Sequence, residues 1–126
     1  MSLVLDAGAL IALERSDRGT MALLKNELVA GRAPLTHGAI VGQVWRGGHG
    51  RQTRLAQVMP ALTVAPIDAA LGRRAGVLLG KARTADVADA ALVLLATDGD
   101  VVLTSDPHDI AHLAEHAGLE VTVVSV

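Results

Sequence analysis

VVLTSDPHDI, residues 101–110, holds a strand, a turn and a helix start in ten positions. The run VVLT is apolar and β-branched without the polar alternation of a half-exposed strand, so it fits a central strand covered on both faces. Asp106 then precedes Pro107, and proline at a first helical position gives up a hydrogen bond that would go unmade anyway. A buried strand running straight into a helix is half of a βα unit. The N-terminus repeats the arrangement: the short apolar run Leu3 to Leu5 ends at Asp6, and a helix over Ala7 to Glu14 follows.

Working outward, the same alternation continues. A second amphipathic helix is expected over 20–30, closed by Gly31, and a brief strand over 35–37. A helix over 39–46 breaks at Gly47, Gly48 and Gly50, and another over 52–59 ends at Pro60. Residues 63–66 read as a strand, and Asp68 caps a helix reaching about Lys81. Helices over 85–96 and 107–117 flank the strand at 101–103, and 121–124 is the last strand. Strands separated by helices call for a parallel sheet covered on both sides. The fold class is therefore α/β, a three-layer α/β/α sandwich with a short, mainly parallel central sheet, in a single domain spanning 1–126.

The chain is 51% hydrophobic yet has no Phe or Tyr and only one Trp, Trp45. Its core must be Ala, Val, Leu and Ile. Without aromatics to stack on bases, an OB-fold or RRM-like nucleic-acid platform is improbable. The absence of cysteine excludes disulfides and thiolate zinc sites and suits a reducing cytoplasm. A targeting leader and a membrane span are not expected, since Asp6 and Asp89 interrupt the apolar runs.

The formal charge of −2 is unevenly spread. Asp86, Asp89, Asp98, Asp100, Asp106 and Asp109 crowd one stretch, while Arg46, Arg51 and Arg54 form a basic cluster, and Arg73, Arg74, Lys81 and Arg83 another. Carboxylates gathered at the carboxyl ends of parallel strands repel one another, and a divalent cation with oxygen ligands is the usual remedy. Asp6 and Asp106 each end a strand. Asp86 and Asp89 stand three apart and share a helix face, with Thr84 placed to cap that helix. Asp89, at the edge of the apolar AALVLLA, is the stronger ligand candidate because a carboxylate there wants a partner. Asp109 either completes the capping begun by Asp106 or joins the cluster. Thr104 and Ser105 offer hydroxyls to orient a carboxylate or touch a phosphate.

Each candidate has a plainer alternative. Asp6, Asp86 and Asp106 serve equally as helix caps, and single arginines such as Arg46 and Arg51 are more often the solvated faces of helices than phosphate grips. His108, His112 and His116 recur every four residues without the Glu of an HExxH site, so a solvated helix face is expected. His37 and His49 carry no reading of their own.

LVLDAGALIAL, DVADAALVLLA and VVLTSDPHDI, in this order and in a chain of this length, resemble PIN domains, above all the small VapC-type toxin ribonucleases of prokaryotic toxin–antitoxin pairs. The resemblance implies that Asp6, Asp89 and Asp106 surround one or two Mg²⁺ or Mn²⁺ ions, with Asp86 close by. It implies a metal-dependent endoribonuclease leaving a 5′-phosphate and a 3′-hydroxyl, a cognate antitoxin that occludes the site, and a homodimer in the cytoplasm. Thr104 and Asp109 are the supporting groups, and Arg46 and Arg51 the candidates for RNA contact.

One position departs from the pattern. PIN domains usually carry a Glu on the helix after the second strand, and HGAIVGQVWRGG has Gln43 there. Gln offers a carbonyl oxygen but one charge fewer, which weakens Mg²⁺ binding and tilts preference toward Mn²⁺. The alternative function is thus a catalytically weakened PIN-fold module that acts by binding antitoxin or RNA. A phosphatase that phosphorylates Asp6 would need a second Asp at position 8, where Gly8 stands.

Overall fold

The computed structural model describes residues 1–126. Strands β1 (Leu3–Leu5), β2 (Leu35–His37), β3 (Thr63–Ala65), β4 (Val101–Thr104) and β5 (Thr122–Ser125) make one sheet in the order β3-β2-β1-β4-β5. Every pairing is parallel, a stricter arrangement than the mainly parallel sheet expected. Seven α-helices connect them: α1 (Ala7–Glu14), α2 (Arg18–Val29), α3 (Gly38–Val44), α4 (Thr53–Val58), α5 (Ala69–Ala82), α6 (Val87–Leu95) and α7 (Pro107–His116). Helix α1 packs with α2, α3 and α4, whereas α5, α6 and α7 pack on one another, giving the two outer layers of the α/β/α sandwich.

The residues of β1 are fully buried, as are the last three of β4, which is why both strands read as unbroken apolar runs. The 27 buried apolar side chains of the core are all Leu, Val, Ile or Ala. Each fully buried Leu, Val or Ile contributes on the order of 2 kcal/mol, and the total comes from number rather than size.

Helix starts follow a shared device. Asp6, Asp17, Asp68 and Asp86 each accept the backbone N–H three residues on, from Ala9 (2.9 Å), Thr20 (3.0 Å), Leu71 (2.8 Å) and Asp89 (3.0 Å). Such a cap stabilises a helix by about 1 kcal/mol. Asp17 explains why α2 begins ahead of Thr20. Asp86, rather than Thr84, caps α6, so Asp86 lies just outside the helix it was expected to share with Asp89.

Helix α3 ends at Val44, short of the expected boundary, because Trp45 is extended. The Arg46 guanidinium turns back and donates to the carbonyls of Gly42 (3.2 Å), Gln43 (3.3 Å) and Trp45 (2.7 Å). Gln52 then closes the glycine-rich loop. Its Oε1 accepts from the amides of Arg46 (2.9 Å) and Gly48 (3.2 Å), and its Nε2 donates to Glu14 Oε1 (2.9 Å) and Val44 O (2.8 Å). No helix is long and apolar enough to cross a membrane.

Candidate functional site

The order β3-β2-β1-β4-β5 sends the chain from β1 to one side and later back to β4 on the other. A crevice opens at the carboxyl ends of strands where the winding reverses in this way, here between β1 and β4. Asp6 follows β1, and Asp106 lies two residues beyond β4.

Asp6 is buried, and both of its carboxylate oxygens are held. Oδ1 caps α1 through Ala9 N, and Oδ2 accepts the Ser105 amide at 3.2 Å, while its own N–H donates to Leu103 O at 3.2 Å. Capping and the crevice thus use the same side chain. It is the backbone amide of Ser105, and not its hydroxyl, that meets Asp6. Thr104 is fully buried, and its Oγ1 accepts the Asp106 amide at 2.8 Å, which fixes the turn that presents Asp106.

Gly8 sets how closely this loop can approach. A Cβ placed on Gly8 would overlap Cβ and Oγ of Ser105 and stand 3.0 Å from the Ser105 amide. Gly8→Ala is therefore expected to push Ser105 off Asp6. Overpacking costs about 1–3 kcal/mol, offset by up to about 1 kcal/mol of better helix propensity. The net loss, read as a lower urea midpoint, should come with a displaced Ser105 amide resonance. An unchanged Ser105 amide would sink this account.

Asp106 occupies the N-cap position of α7, yet its side chain makes no capping bond. The cap expected of its carboxyl is therefore not made. That carboxyl is pushed above the usual range, first by a hydrogen bond with Asp109, then by burial and by the charge of Asp109. Asp109, in the first turn of α7, thus joins the cluster instead of completing a cap.

Asp89 is the most perturbed of the group. Its carboxyl is pushed up to about 6, first by burial and then by the charges of Asp86, Asp6, Asp106 and Asp109. The repulsion places all five aspartates within one electrostatic neighbourhood, and they arrive from β1, the α6 start and the β4–α7 turn. Their oxygens do not form a ready-made set of three metal ligands.

His37 is the residue that sequence reasoning passed over. It ends β2, is fully buried, and its Nδ1 accepts the Ile40 amide at 3.3 Å to cap α3. Its Nε2 donates to Ala88 O at 2.8 Å, fastening β2 to the turn of α6 that carries Asp89. Burial holds its pKa below the ordinary histidine value, so the ring is neutral, with its proton on Nε2. A lone histidine at a strand end gives no signal of such a double role.

The remaining candidates fall elsewhere. Gln43 is exposed and lines a concavity of about 340 Å³ with Arg46, Arg51, Glu14 and Gln52, to which none of the five aspartates contributes. The Arg46 guanidinium is engaged with the end of α3, whereas Arg51 is exposed. The histidine stripe of α7 is not simply solvated: His112 Nε2 bonds Ala82 O at 2.7 Å and His116 Nδ1 bonds His112 O at 2.9 Å. A scan against family models and a search of curated proteins find no match to the chain.

Proposed function

We propose that this chain is a metal-dependent endoribonuclease of the PIN-domain kind, a VapC-like toxin neutralised by an antitoxin. The observation that carries the reading is the gathering of Asp6, Asp86, Asp106 and Asp109 around Asp89 at the winding reversal, where burial first and their charges second raise the Asp89 carboxyl to about 6. Carboxylates that hinder one another's ionisation form an oxygen-only, anionic donor set, the kind that suits a hard divalent cation. Asp6, Asp89 and Asp106 would hold Mg²⁺ or Mn²⁺, with Asp86 and Asp109 adding charge beside them. When bound, the ion lowers the pKa of a water and stabilises charge on the leaving oxygen of a phosphodiester.

The chain's own contribution is orientation. Two backbone amides fix the Asp6 carboxylate, the Thr104 hydroxyl fixes the turn of Asp106, and His37 ties down the turn of Asp89. These supports hold the turns that carry the carboxylates, and a bound cation would have to draw their oxygens together.

A weakened binding module is the second reading, favoured by the exposed, neutral Gln43 on the surface that also carries Arg51. RNA cleavage by the purified chain in Mg²⁺ or Mn²⁺, beside EDTA and Asp6→Asn controls, decides between them. The nuclease reading expects cleavage that EDTA abolishes and that Asp6→Asn lowers at least about 100-fold. No cleavage of structured transfer or ribosomal RNA by folded wild type, with RNA still bound and that binding lost in Gln43→Glu/Arg51→Glu, would establish the binding module. Inactivity of the folded wild type in both metals would overturn the nuclease.

A further inference from the structure

The outer layer formed by α5, α6 and α7 carries a second concavity, of about 340 Å³, that plays no part in the acidic crevice. Val77, Leu78 and Leu94 make its floor, and Arg73, Lys81 and His116 stand around it, with Arg74 beside them. No carboxylate lines it. The one ion pair of the fold, Arg32 with Glu27, is elsewhere, so Arg73, Arg74 and Lys81 are left without an acidic partner.

Arg73, Val77 and Lys81 are four residues apart and fall in one stripe along α5, successive members about 6 Å apart. Val77 in the middle is 61% exposed. An apolar side chain bare to solvent, with a cation one turn before it and another one turn after, is half of a contact. We propose that this face docks an amphipathic helix of a partner protein that presents an acidic, an apolar and a second acidic residue at four-residue spacing. The apolar residue seats against Val77 and Leu94, and the carboxylates meet Arg73 and Lys81 at the rim.

A second copy of this chain does not supply that complement. Helices α2 and α6 hold one carboxylate each, α3, α4 and α5 none, and the two of α7, Asp109 and Glu115, are six apart; Asp6, Leu10 and Glu14 at α1 have the spacing, but Asp6 and Leu10 are buried in the fold. A nucleic-acid strand would satisfy the cations but not the floor, which has no aromatic ring on which a base could stack. The inference is independent of whether the acidic crevice cuts RNA.

A fluorescein-labelled 20-residue helical peptide with Glu, Leu and Glu at that spacing, in an Ala/Gln background, is the probe. Its anisotropy is read against the full chain at low and high salt. Beside it run an isomeric peptide with both Glu moved off the Leu face and a single-stranded RNA of similar length. The patterned peptide is expected to bind about tenfold more tightly than its isomer, to weaken with salt, and to lose that margin with Arg73→Glu/Lys81→Glu or Val77→Asp. These positions are exposed, and unchanged thermal melts confirm that the variants fold. Equal binding of the two peptides, or no binding, overturns the proposal. RNA binding that these variants abolish, without a peptide preference, overturns it in favour of a nucleic-acid surface.

Discussion

Asp89→Asn is expected to make the metal-free protein more stable at pH 8 while removing metal-dependent cleavage. In the folded chain the Asp89 carboxyl holds its proton to about pH 6, against an ordinary value of 3.8. Folding therefore favours the protonated form. The stability this gives is complete below about pH 4 and is lost as pH rises through 6, so ionised Asp89 strains the native state above that. The full shift corresponds to about 3 kcal/mol. The group is only half-buried, and solvent screening reduces the figure to roughly 1–2 kcal/mol. Thermal melts in EDTA should show the Asn variant about 3–10 °C above wild type at pH 8 and level with it at pH 4. Adding Mg²⁺ should reverse the order at pH 8, because only the wild type gains from the ion. An Asn variant less stable than wild type at pH 8 without metal would mean that Asp89 is satisfied in the fold, and the crowded-carboxylate account would fail.

Replacing His37 should damage the fold in separable parts. His37→Ala removes the α3 cap, worth about 1 kcal/mol, the bond to Ala88 O, worth about 1 kcal/mol, and the buried ring's packing, for a total of roughly 3–4 kcal/mol. His37→Asn keeps a good capping side chain but is too short to reach α6, and should recover about 1 kcal/mol of that. Urea midpoints at constant slope measure both. Equal losses in the two variants would show that capping is not part of the role. The pH response is the opposite of that of Asp89. The His37 pKa is lowered by burial, so its contribution is present above about pH 6.5 and fades as pH falls through the folded value. Protonation would put an N–H on Nδ1, where the Ile40 amide needs an acceptor. His37→Ala should therefore lose this acid sensitivity along with its stability.

The sheet and its order of elements were legible because both central strands are covered on two faces and cannot alternate with polar residues. Strands β1 and β2 and helix α1 have the expected bounds, and Asp68 caps α5 as expected. Errors lie at helix ends, where the outcome depends on which neighbouring side chain turns toward the free amides. Both Thr84 and Asp86 are capping residues by type, and only the extended backbone at Asp86 decides between them. Asp106 has every sequence mark of a cap and makes no capping bond, while Thr104 holds its amide in a turn. The acidic positions of the site could be read in sequence because strand ends and helix starts are readable. Their supports could not, since His37 to Ala88 spans 51 positions and Ser105 to Asp6 spans 99. Contacts at that range leave no local pattern.

An all-aliphatic core has a consequence for how this molecule reports on itself. Trp45 is the only aromatic side chain apart from the histidines, and its indole lies over Gly48 in the loop that Gln52 closes. Near-ultraviolet absorbance and emission therefore come from one ring packed on that glycine-rich loop, and from nothing in the interior. Fluorescence in this protein is a gauge of that loop, while the state of the sheet is visible only through the peptide bond.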